Sequence, residues 1–206
     1  MSVDGPFQDK PALRADALTL VRGGRTLFEG LSFAAKPGGY VEIRGANGAG
    51  KTSLLRVIAG FLKPRAGGVF YENVEEPATA LHYVGHPNAL KPNASVREHL
   101  RYWAGLFGGD ARNPDALVRL GLAGLEERLA RTLSQGQARR LALARLLIAP
   151  RPIWLLDEPG AGLDADGHAM AVDLIAQQRE RGGVVLAALH EPLRGLAGLT
   201  VTLGQT

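Results

Sequence analysis

Cysteine is missing from all 206 residues. Its absence excludes disulfides, thiolate metal sites, thiol redox chemistry and covalent haem attachment through Cys-x-x-Cys-His. A reducing compartment such as the cytoplasm is compatible with that composition. Aromatic residues are scarce, at 6%. No apolar run reaches 18 residues; the best stretch, 141–156, is broken by Arg145, Pro150, Arg151 and Pro152. The chain is therefore not expected to span a membrane by itself. Residues 1–11 are polar, carry Asp, Gly and Pro, and lack an apolar segment, so they read as a loose tail and not as a signal peptide. Internal repeats and low-complexity segments are also lacking.

What remains is ample for one buried core: 46% of residues are apolar and 21% charged. The length fits one domain, assigned to residues 12–206, with room for an inserted subdomain. Basic residues outnumber acidic ones by 24 to 20. They are scattered along the chain, which reads as a solvated surface, and no nucleic-acid partner is expected.

Short apolar runs at 17–20, 31–33, 40–44, 69–71, 81–84, 153–156, 184–189 and 199–203 read as strands. Helical spacing follows residue 51, runs through 135–148 and recurs at 170–181. Between residues 92 and 132 the pattern turns helical throughout, with 117–120 and 122–129 continuing the first helix after a Gly-Gly break at 108–109. An α/β fold carrying an inserted helical subdomain is the expectation.

Gly45-Ala46-Asn47-Gly48-Ala49-Gly50-Lys51-Thr52 has the spacing of a phosphate-binding loop, with Ser53 completing the segment. A strand precedes it and a helix follows, as that chemistry requires. Glycines let successive backbone N–H groups converge on a phosphate, and the helix start aims its positive end at the same anion. Lys51 is expected at the β- and γ-phosphate oxygens, and Thr52 on Mg²⁺. A guanine-specific Asn/Thr-Lys-x-Asp element is lacking, which argues against a GTPase. The run Ile153-Trp154-Leu155-Leu156-Asp157-Glu158 is a buried strand ending in two acids. Asp157 is placed to hold Mg²⁺ and Glu158 to polarise an attacking water. Some twenty residues earlier, Ser134-Gln135-Gly136-Gln137 opens a helix and forms a second anion-binding start.

With His190 after a strand, these elements resemble the layout of the ABC ATPase family over nearly the whole chain. That resemblance implies a P-loop NTPase fold with an antiparallel β element, and two copies sandwiching two ATP molecules head to tail. It implies that Ser134, Gly136 and Gln137 of one copy meet the γ-phosphate held by Lys51 of the other. It further implies that His190 contacts the γ-phosphate and that Asp164, in Ala161-Gly162-Leu163-Asp164, links the two sites.

Two positions depart from the general ABC pattern. His86, in Tyr83-Val84-Gly85-His86-Pro87, stands where a glutamine is usual, and Arg22 falls where an aromatic stacks on adenine. A guanidinium can also stack on a ring. Together with Arg25-Thr26-Leu27-Phe28-Glu29-Gly30-Leu31-Ser32-Phe33 and the non-glycine Gln135, these departures resemble the CcmA family, the ATP-binding subunits of cytochrome c maturation systems. Pro87 differs from the glutamine expected there. The resemblance implies a membrane subunit, CcmB, with CcmC and CcmD nearby, at the cytoplasmic face of the bacterial inner membrane. It implies a role in haem export or in release of the haem-loaded chaperone CcmE. Tyr102, Trp103 and Phe107 are candidates for the membrane-subunit contact or for the helical core. The rivals are the ATPase of another exporter, which His86 and Arg22 oppose, and a soluble ABC ATPase acting on nucleic acid or ribosomes. The latter usually carries two ATPase halves or a long coiled-coil insert, and neither is present. His82, His99 and His168 show no paired spacing for haem or metal.

Overall fold

The computed structural model describes residue 7 and residues 9–204. Most of the expected tail, residues 1–6 and 8, lies outside the described residues. Among the described residues eight strands form, in order β1 (Ala12–Arg22), β2 (Arg25–Ala35), β3 (Tyr40–Arg44), β4 (Ala66–Glu72), β5 (Leu81–Val84), β6 (Ile153–Asp157), β7 (Val184–Ala188) and β8 (Leu199–Thr202). The helices are α1 (Lys51–Ile58), α2 (Pro77–Ala80), α3 (Val96–Phe107), α4 (Pro114–Arg119), α5 (Gln135–Ile148) and α6 (Ala165–Glu180), with a 3-10 turn at Ala130–Thr132.

The strands make two sheets. An antiparallel one has the order β2-β1-β4, and a parallel one the order β5-β6-β7-β3-β8. The central strands of the parallel sheet are covered on both faces, which is why β6 and β7 read as unbroken apolar runs; every residue in both is buried. Alternation across the pleat separates two cores. Trp154, Leu156, Val185 and Ala187 face α3, α5 and α6 through Leu100, Leu143 and Ile175. Ile153, Leu155, Leu186 and Ile43 face the other way, onto Leu54 and Ile58 of α1 and Leu18 and Phe28 of the antiparallel sheet.

The helical reading of residues 122–129 fails. Gly121 and Gly124 both take left-handed φ, 62° and 79°, which ends α4 and prevents a further helix. The segment instead returns along residues 94–97. Val96 N–H donates to the Arg128 carbonyl (3.0 Å), Arg97 N–H to that of Glu126 (2.9 Å), and Ala130 N–H to that of Ala94 (2.9 Å). The insert is thus zipped shut at its base. Trp103 is buried in it under the Arg145 guanidinium (4.4 Å), whereas Tyr102 is exposed and Phe107 packs half-buried against His82.

Candidate nucleotide site

Four strand ends and a hairpin tip converge on one cleft of about 700 Å³. The β1–β2 hairpin closes through Gly23 and Gly24, both at positive φ (56° and 75°), the backbone a two-residue turn of this hand demands. It carries Arg22 to the rim, where Nη1 lies 3.5 Å from Ser53 Oγ.

The loop after β3 supplies the floor. Gly45 takes φ 146° and has no room for a side chain: a methyl there would meet the Leu203 carbonyl oxygen at 2.7 Å. Gly50 precedes α1 in the left-handed region, at φ 105°. Ala46, Asn47, Gly48, Gly50, Lys51, Thr52 and Ser53 line the cleft, while Ala49 is buried behind them. Lys51, itself buried, curls back to donate to the Gly45 carbonyl (2.8 Å) and that of Ala46 (3.4 Å).

The opposite wall comes from the end of β6. Asp157 Oδ2 accepts a hydrogen bond from Thr52 Oγ1 at 2.8 Å, bringing together residues 105 apart in sequence. Neighbouring strand residues point to opposite faces, yet Asp157 and Glu158 both line the cleft. A left-handed backbone at Glu158 (φ 53°) allows this, a conformation that costs a non-glycine residue about 1 kcal/mol or more. Its N–H is tied to the Ala188 carbonyl (2.9 Å) at the end of β7. Exposed His86, after β5, and exposed His190, after β7, complete the lining.

Ser134, Gly136, Gln137 and Asp164 lie outside this cleft. Ser134 caps α5: Gln137 N–H donates to its hydroxyl (3.1 Å) and Gln137 Oε1 accepts from its N–H (3.0 Å). Asp164 caps α6 through Gly167 N–H (2.8 Å) and pairs with Arg140 of α5 (2.7 Å). Those two bonds, that from Gly167 first, hold its carboxyl below the usual range. The Gln135 side chain fills the space beside Gly162, where a methyl would come within 2.8 Å of it.

One residue that sequence reasoning passed over ties these parts together. Arg139 is 2% exposed, and its guanidinium donates to the carbonyls of Asp157 (2.6 Å), Glu158 (2.8 Å), Pro159 (3.3 Å) and Gly85 (2.8 Å), and to Asn88 Oδ1 (3.0 Å). Burial brings its pKa down to about 10, against the upward pull of Asp157 and Glu158. The helix is buried on every side over residues 141–146, so an arginine buried with it has to find backbone acceptors.

The chemistry of the donor set suits a magnesium nucleotide. Thr52 and Asp157 offer hard oxygens, and among the described residues no cluster of three or more His, Cys, Asp or Glu could hold a metal alone. A small hard cation that keeps its waters and shares phosphate oxygens needs only two such protein ligands.

A family profile described as ABC transporter matches residues 28–161. A relative in Rhodopseudomonas palustris (strain BisB5), "Cytochrome c biogenesis ATP-binding export protein CcmA", is 45% identical over 93% of this chain and 98% of its own length. The chain belongs to the CcmA family of ABC transporter ATP-binding proteins. A second CcmA, from R. palustris (strain HaA2), is 47% identical over 88% of this chain and 92% of its own. Among solved structures, a putative ABC transporter ATP-binding protein from Pyrococcus furiosus superposes with a TM-score of 0.81, at 26% identity over 93% of this chain and 97% of that one. CcmA membership makes this an ATP-hydrolysing ABC subunit associated with a membrane transporter. Among the described residues, no helix is long and apolar enough to cross a membrane.

Proposed function

We propose that the chain is the ATP-driven motor of a membrane complex for c-type cytochrome biogenesis, working as a head-to-tail dimer. The carrying observation is the division of the site. The phosphate loop, the acid pair, His86 and His190 share one cleft, while exposed Ser134, with Gly136 and Gln137 beside it, opens a helix elsewhere on the surface. An anion-binding helix start that its own cleft does not use suits a nucleotide held by a second copy.

In this reading the N–H groups of residues 45–52 and Lys51 grip the β- and γ-phosphates, and the start of α1 adds its dipole. Arg22 stacks on the adenine and orients it. Thr52 and Asp157 hold Mg²⁺, which when bound neutralises charge developing on the phosphates. Glu158 accepts the proton of the attacking water, and His190 donates to the γ-phosphate. Ser134, Gly136 and Gln137 of the second copy close over that phosphate, and Asp164 links the paired sites. His86 and the insert near 92–132 face the membrane subunit. CcmB, with CcmC and CcmD, is that partner, and the chain sits peripherally at the cytoplasmic face of the bacterial inner membrane. The cargo is haem, or the work is release of haem-loaded CcmE. The names of the relatives support the pathway, since they speak of cytochrome c biogenesis and export.

Glu158→Gln tests the chemistry. ATP binding is retained, turnover falls by roughly 10²-fold or more, and an ATP-bound dimer accumulates in sedimentation. Unchanged turnover would remove Glu158 as the base.

A further inference from the structure

We propose that Arg139 is a positioning residue for hydrolysis, fixing the left-handed turn at Glu158 and joining it to the His86 loop and to the Ser134 end of α5. The proposal rests on the reading of Glu158 as the base. A carboxylate that must align a water needs its backbone fixed, and here the backbone sits in a conformation that side chains resist. Arg139 holds the carbonyls on both sides of that turn, from Asp157, Glu158 and Pro159. The same guanidinium reaches Gly85 and Asn88, which flank His86 and Pro87. Arg145, also on α5, adds a bond to the Asn88 carbonyl at 3.2 Å.

The geometry makes one rigid unit of three functional pieces. Ser134, which faces the second copy in the proposed dimer, caps α5, and Arg139 lies five residues beyond it. Arg140, the next residue, reaches outward to Asp164. A shift of α5 on closure of the dimer therefore moves the Glu158 turn and the His86 loop of the same protomer together. Only a planar fork of donors spans acceptors on two separate loops; an ammonium is a single point. A displacement of the Glu158 carboxylate of about 1 Å is expected to cost on the order of 10²-fold in rate.

Arg139→Lys and Arg139→Gln in the full chain test this, with basal ATP turnover and the affinity for a fluorescent ATP analogue read separately. Turnover is expected to fall about tenfold in the lysine variant and roughly 10²-fold in the glutamine variant. Affinity is expected to stay within about threefold, because neither the loop nor Lys51 touches Arg139. Where the glutamine variant does not accumulate folded, the lysine variant and Asn88→Ala decide, the latter giving a smaller loss confined to turnover. Native turnover in Arg139→Lys, or an affinity loss as large as the turnover loss, overturns the proposal. Glu158→Gln measured alongside separates the two readings. If it leaves turnover intact, the assignment of the base fails; if it abolishes turnover while Arg139→Lys does not slow it, only the role of Arg139 fails.

Discussion

Burial holds the His82 imidazole at about 4, well below its ordinary value of 6.5. The backbone explains which nitrogen keeps the proton. Nε2 lies 2.6 Å from the Ala149 carbonyl, which only accepts, so Nε2 donates. Nδ1 is buried without a partner among the described residues. A second proton would put an unpaired cation beside Arg145 and Arg151. The unfolded chain therefore binds more protons than the folded one between pH 6.5 and 4. Stability from this residue is fully present above the unfolded value and drains as pH falls through that window, by about 2 kcal/mol at pH 5. Urea unfolding at pH 7 and pH 5 checks it. The native chain is expected to lose about that much more than His82→Gln, and equal losses would show that His82 does not titrate this way. The phosphate loop was legible at this scale because its chemistry sits within eight consecutive residues. Arg139 was not, since its acceptors lie 18 to 54 positions away and the doublet Arg139-Arg140 looks like surface charge.

Helix α5 asks one residue to do two things. Ser134 satisfies the free N–H of Gln137 within its own chain, and in the proposed dimer it is also the side chain offered to the nucleotide of the second copy. Its removal is expected to be felt even where no nucleotide is bound. Ser134→Ala should lower stability by about 1 kcal/mol, as loss of an N-cap does, measured by urea unfolding without ATP. An unchanged midpoint would mean that the cap contributes nothing and that the serine serves binding alone. Elements with their own signals in sequence are legible: α5 from its spacing, β6 and β7 from their apolar runs. Where elements depended on distant pairing, reading fell short. The strip 122–129 has apolar residues at helix-like spacing, but its carbonyls at 126 and 128 accept from residues 97 and 96, and Gly121 and Gly124 turn left-handed. Helix α6 starts at Ala165, five residues before the spacing that begins at 170, because Asp164 caps it through Gly167 N–H.

Across the whole molecule, the sheet order decides what meets what. β7 lies between β3 and β6, so the loop strand and the acid strand are next-nearest neighbours whose ends open into one cleft. That order is invisible in a linear reading, in which β3 and β7 are separated by more than a hundred residues. Ser134 is exposed on a surface outside the cleft, the surface that meets another copy in the proposed dimer. Ser134→Arg, placed in a Glu158→Gln background, is expected to abolish the ATP-induced dimer in sedimentation while nucleotide still binds. A dimer formed as readily as before would sink the cross-site role. The same sheet order has a consequence during synthesis. Both strands that flank β3 come from beyond residue 183, and the Gly45 backbone packs on the carbonyl of Leu203. A nascent chain that has already exposed the whole phosphate loop still has no frame to hold it in shape. A chain cut before β8 is therefore expected to hold nucleotide more weakly than the full chain, whole though its phosphate loop is, and equilibrium titration of the two with an ATP analogue checks it.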